Sequence, residues 1–154
     1  TSATIPISVV GDTKLEQNET FLVNLSSPTN ATLTMSQSSV VTIRNDELPE
    51  VLVKGPGSAV AEGAAAPFTI TLKQPYSANL TLTVATVGNT AASPGDFTAV
   101  NQPLTFTSQD VSPKTVSVMT KTDGLTEAVE AFYLQASGGS ATVKDQAKIK
   151  SNHT

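Results

Sequence analysis

The chain has 154 residues, of which 38% are hydrophobic, 5% aromatic and 14% charged, with a formal net charge of −4, no cysteine, no tryptophan and one histidine. That length suits one large domain or one and a half small ones. The charge leaves no basic footprint for nucleic acid or an anionic membrane; no apolar run approaches a membrane span, and the opening TSATIP lacks the charged and apolar regions of a signal peptide.

In chain order, apolar and polar residues alternate over three early segments. They predict strands at 3–10 (Ile5, Ile7, Val9), 20–26 (Phe21, Val23, Leu25) and 39–44, with the polar connection SSPTNATLTMSQ before the last. Three strands make one sheet face but cannot close a two-sheet sandwich. Strands lying upstream in a longer protein would complete this half; the alternative is strands of a neighbouring chain, as in strand complementation. Residues 48–50 then form a short linker in which Pro49 stops the preceding strand and stiffens the joint.

From 51 onward the alternation returns. Val51 and Val53 open it, GPGSAVAEGAAA is irregular around its Gly and Pro residues, and Phe68, Ile70 and Leu72 alternate cleanly. Leu80, Leu82 and Val84 follow, then Leu104 with Phe106, Val116 with Val118, Phe132 with Leu134, and Ala147 with Ile149. About seven strands without helical periodicity predict an all-β sandwich over 51–154.

One acidic stretch occurs twice. DTKLEQNETFL at 12–22 and DGLTEAVEAFY at 123–133 both read Asp-x-x-x-Glu-x-x-Glu with an aromatic two residues later, and at the same offset Thr4, Ile5 and Ile7 fall on Thr115, Val116 and Val118. The chain therefore carries two modules of one kind, the first represented by its C-terminal half over 1–47. In each copy an alternating run enters the acidic segment and another leaves it, so the carboxylates Asp12, Glu16 and Glu19, and Asp123, Glu127 and Glu130, lie where two strands connect. Acids held this close repel one another. A hard, oxygen-seeking cation such as Ca²⁺ would relieve them, and the absence of cysteine argues against a softer metal; the alternative is a solvated acidic turn, which the repetition disfavours.

These segments resemble a known family. GDTKLEQNETFLVNLS at 11–26 with VVTIRNDE at 40–47 looks like the second half of a Calx-beta module, while AEG at 61–63, PFTITL at 67–72, NTAASPGDFTAV at 89–100 and LTFTSQD at 104–110 supply first-half hallmarks of the later one. The resemblance implies immunoglobulin-like antiparallel β-sandwiches, of the kind found in sodium/calcium exchangers, an integrin subunit, matrix proteins and bacterial surface proteins, several of which bind calcium at one end. It implies a calcium cluster of Glu62, Asp96, Asp123, Glu127 and Glu130 in the complete module, and adds Asp46 and Glu47 to Asp12, Glu16 and Glu19 in the half module. The sequence departs from the family after Ile149, where Ser151, Asn152 and His153 stand in place of acids. Lys121, next to the loop, is a further candidate to neutralise part of the cluster.

Five Asn-x-Ser/Thr sequons, at Asn18, Asn24, Asn30, Asn79 and Asn152, suit a secreted glycoprotein, though such triplets arise readily in a Ser/Thr-rich chain. Nothing suggests an enzyme: the only histidine is His153, beside the terminus, and no phosphate loop or dinucleotide fingerprint occurs. The expected function is a calcium-binding structural or adhesive spacer of a large extracellular or cell-surface protein, with neighbouring modules or another copy of the chain as partners. The alternatives are a filament subunit completed by strands of a neighbouring chain, and a regulatory calcium sensor.

Overall fold

A computed structural model describes residues 2–33 and 38–153. It divides into two compact units, Thr1–Glu47 and Leu48–Thr154. The second holds eight strands: β3 (Val51–Lys54), β4 (Val60–Ala61), β5 (Ala65–Leu72), β6 (Leu80–Gly88), β7 (Asn101–Phe106), β8 (Lys114–Met119), β9 (Glu130–Ser137) and β10 (Val143–Lys150). One sheet runs β4-β10-β9-β6-β7 and the other β3-β5-β8. Every pairing is antiparallel except β4 with β10, where Val60 lies opposite Ile149 and Ala61 opposite Lys150. The two-residue β4, too short to show a period, lies in the stretch expected to be irregular.

Alternation places the core. On β5, Ala66, Phe68, Ile70 and Leu72 point inward, and they meet Leu80, Leu82 and Val84 of β6, Val116 and Val118 of β8, and Phe132, Leu134 and Ala136 of β9. Phe132 is central. Its ring stacks on Phe97 at 4.4 Å and tilts against Phe68 at 5.9 Å, so it joins the two sheets and pins the turn that precedes Phe97.

The first unit holds β1 (Glu19–Asn24) and β2 (Ser38–Ile43), an antiparallel pair. Its register repeats that of β9 and β10: Phe21 faces Val41 as Phe132 faces Ala147, and Glu19 faces Ile43 as Glu130 faces Ile149. The strand expected over 3–10 is not paired among the described residues. In the second unit the matching strand β8 hydrogen-bonds to β5, and no counterpart of β5 lies among the described residues of the first unit. Part of the polar connection expected before β2, residues 34–37, lies outside the described residues.

The two equivalent phenylalanines sit in unlike surroundings, Phe132 fully buried and Phe21 half-buried. Phe132→Ala should therefore cost about 3–5 kcal/mol, and Phe21→Ala clearly less, in chemical unfolding followed by circular dichroism; equal costs would contradict this packing.

Candidate metal centre

Three separate segments deliver carboxylates to one end of the second unit. The first is the turn after β4. Glu62 N–H donates to the Lys150 carbonyl at 3.1 Å, and Ala64 N–H donates to the Ala61 carbonyl at 3.1 Å. Gly63 has φ +76°, and a Cβ there would lie 2.6 Å from Thr122 Oγ1, so both conformation and space call for glycine. Thr120, itself buried, donates its hydroxyl toward the carbonyls of Ala61 and Ala64 at 3.1 and 2.7 Å and locks this turn to the end of β8.

Asp96 arrives on the second segment, the turn before Phe97. Its Oδ2 accepts Ala92 N–H at 2.6 Å, and its carbonyl accepts Lys121 N–H at 2.9 Å. The third segment is the acidic loop between β8 and β9, where Asp123 Oδ1 accepts Leu125 N–H at 2.8 Å around Gly124, at φ +86°. Glu130 begins β9, two residues before the core anchor Phe132.

These positions bring together all five acids expected of this module. Carboxylate oxygens of Glu62, Asp123 and Glu127 lie within 4.8 Å of one another, as do those of Asp96, Glu127 and Glu130, with Glu127 common to both groups. The space between them is about 10 Å³, close to what one water or one monatomic ion fills. Glu62 is only 8% exposed, and its Oε2 has no hydrogen-bond partner among the described residues. A buried, unpaired carboxylate oxygen is costly. An all-oxygen set of this kind fits a hard divalent cation, which would satisfy that oxygen and offset the mutual repulsion.

The repulsion shows in the titration. The Asp123 charge, then partial desolvation, then Asp96 and Glu62 hold the Glu127 carboxyl above its ordinary range. Glu130 is raised first by partial burial, then by the charges of Asp96 and Glu127, with a hydrogen bond to Asp96 adding to the effect. Lys121 borders the cluster but forms no ion pair among the described residues. Ser151 and Asn152, standing where the family resemblance led us to expect acids, tie the segment after β10 to the site. Ser151 Oγ donates to the Leu125 carbonyl at 2.9 Å, and Asn152 Nδ2 donates to the Glu62 carbonyl at 2.6 Å. Neither these contacts nor the Thr120 hydrogen bonds have a signature in a strand pattern, because each reaches a carbonyl remote in sequence.

The first unit arranges its acids differently. Asp12, Glu16, Glu19, Asp46 and Glu47 border one depression, yet no three of them bring oxygens within 4.8 Å. Asp12 Oδ1 accepts Lys14 N–H at 2.8 Å, and the Lys14 ammonium pairs with Glu16. The hydrogen bond and charge of Glu16, with Asp12 and Glu19 behind, raise the Lys14 pKa. Lys14 thus sits among the acids at the position that Leu125 occupies in the other copy. Asn45 spans the loop and the strand end: its Oδ1 accepts Glu16 N–H at 2.8 Å and its own N–H donates to Asn18 Oδ1 at 3.0 Å.

Because Glu127 and Glu130 have raised folded-state pKa values, each contributes stability that is complete below the unfolded value, about 4.3, and is lost as pH rises through the folded value. In chelator, the unfolding temperature should fall as pH rises across that window, and Glu127→Gln should flatten the fall. A profile that rises through the window in both proteins would contradict the reading.

The profile of the Calx-beta domain matches residues 1–47 and 57–151. Among solved structures, an apo-form Calx CBD1 domain aligns with a TM-score of 0.54 and 14% identity over 66% of this chain and 97% of that one. A CBD12 structure from CALX1.2 aligns with a TM-score of 0.55 and 18% identity, covering 61% of this chain and 41% of that one. At these identities the likeness concerns the fold. Sequence comparison with curated proteins finds no match.

Proposed function

The chain belongs to the Calx-beta domain family, and we propose from that premise that its second unit binds calcium as a non-catalytic structural module of a larger extracellular or cell-surface protein. The observation that carries the reading is Glu62. Its Oε2 is buried and unpartnered among the described residues, and its carboxylate belongs to a group of three whose oxygens lie within 4.8 Å of one another, an arrangement that a cation would relieve and that water-exposed turn chemistry does not need.

In this reading Glu62, Asp96, Asp123, Glu127 and Glu130 are the ligand residues, and Glu127, common to both groups, is the most demanding of them. When bound, the ion supplies positive charge and oxygen coordination. The chain's own part is to hold three segments in register through Thr120, Gly63 and the Phe97–Phe132 stack. A cation that prefers the folded state stabilises it by mass action, which suits a stiff spacer between neighbouring modules. The first unit supplies its own counter-charge in Lys14, so calcium binding is assigned to the second unit.

Neighbouring modules of the same protein, or a second copy of the chain, are the partners this reading implies. The apolar face left open on the first unit favours, as a second reading, completion by strands of another chain. It is lined by Ile5, Ile7, Phe21, Val23 and Val41.

Calorimetric titration of the full chain with calcium should give saturable heat and a raised unfolding temperature. Glu127→Gln should weaken the affinity about a hundredfold or more, since a carboxylate central to the cluster is lost, while Glu16→Gln with Glu19→Gln should leave it unchanged. No heat at millimolar calcium, or loss of binding in the first-unit variant, would overturn the assignment.

A further inference from the structure

The segment that leaves β10 grips two of the three carboxylate-bearing segments within three residues. The Lys150 carbonyl accepts Glu62 N–H at 3.1 Å, and two positions later Asn152 Nδ2 donates to the Glu62 carbonyl at 2.6 Å. Both backbone polar groups of Glu62 are therefore held by one strand end. Ser151, between them, reaches the acidic loop instead: its Oγ donates to the Leu125 carbonyl at 2.9 Å and accepts His153 N–H at 3.2 Å.

The acidic loop has few other anchors. Asp123 and Glu127 lie between β8 and β9, outside any strand, and the bond from Leu125 N–H to Asp123 Oδ1 is internal to the loop. Among the described residues, the Ser151 hydroxyl makes the only hydrogen bond that reaches residues 122–129 from elsewhere in the chain. Apolar burial does not fix the loop either, because Leu125 and Val129 are each 59% exposed. Mutual repulsion of Asp123, Glu127 and Glu62 works to spread these segments apart. Ser151 and Asn152 oppose that spreading, and Ser151 also borders the space between the acids.

We propose that Ser151 and Asn152 are positioning residues of the calcium site, a neutral clasp that fixes Glu62 against the Asp123–Glu127 loop before an ion arrives. Both side chains are uncharged, and the donors they offer go to backbone carbonyls, so they add no ligand charge. Their contribution is order: ligands already held in place lose less freedom on binding, and the affinity rises accordingly. This role rests on the calcium reading of the same site and adds how its ligands are held.

The test combines calcium calorimetry on the full chain with amide hydrogen exchange in chelator. Ser151→Ala and Asn152→Ala should each weaken calcium binding about tenfold. Ser151→Thr, which keeps a hydroxyl, should retain the affinity, and so should His153→Ala, which keeps the backbone N–H that Ser151 Oγ accepts. In chelator, Ser151→Ala should speed exchange in residues 122–129 while the unfolding temperature stays that of the unaltered protein. A lowered unfolding temperature with unchanged affinity would mark a merely structural role and overturn the proposal, as would unchanged exchange in the loop. Asn152→Asp supplies an acid but no N–H for the Glu62 carbonyl, so tighter binding in that variant would identify a ligand position and overturn it too. No heat from the unaltered chain would remove the calcium reading and this role with it; heat from the unaltered chain with equal affinity in both alanine variants would remove this role alone.

Discussion

Phe132 lies between Phe68 and Phe97 in the core of the second unit, and the geometry at the end of that sandwich follows from this contact. Phe97 immediately follows Asp96, and Phe132 comes two residues after Glu130, so stacking the two rings brings two carboxylates from distant parts of the chain to one place. Hydrophobic burial thus does the positioning, and electrostatic repulsion is the consequence. The Thr120 hydroxyl adds the third segment by holding the Ala61–Ala64 turn, and Glu62 with it, against the end of β8. A site made this way rests on rigid elements at its margins and on one loop at its centre.

The two copies of the acidic stretch show how little of such a site lies in its own motif. Their carboxylates have the same spacing, and their strands share a register, yet only the second copy brings oxygens into groups of three. Two differences account for this. Among the described residues no segment pairs with the first copy to carry counterparts of Glu62 and Asp96, and the first copy has Lys14 where the second has Leu125. The Lys14 ammonium pairs with Glu16 and offsets part of the local repulsion, although an exposed pair of this kind contributes little to stability.

Much of this was legible in the sequence, for definite reasons. Alternation at Phe68, Ile70 and Leu72, or at Phe132 and Leu134, reports a half-buried strand directly, and the repeated acids mark a shared loop. The grouping of Glu62 and Asp96 with that loop came from family resemblance, since neither residue has a local pattern that announces its neighbours. Two features could not be read. The unpaired state of residues 3–10 depends on the absence of a counterpart to β5, which no window of local sequence contains. The roles of Thr120, Ser151 and Asn152 are hydrogen bonds to carbonyls remote in sequence, which depend on how the chain closes.

The proposed calcium site draws five acids from three segments of the second unit. The most direct measurement is a crystal structure of the full chain grown with calcium, with the ion identified by anomalous scattering. Density is expected among Glu62, Asp96, Asp123, Glu127 and Glu130, with oxygens at about 2.3–2.6 Å, and none among Asp12, Glu16 and Glu19. Calcium in the first unit alone, or five acids without an ion at saturating calcium, would contradict it.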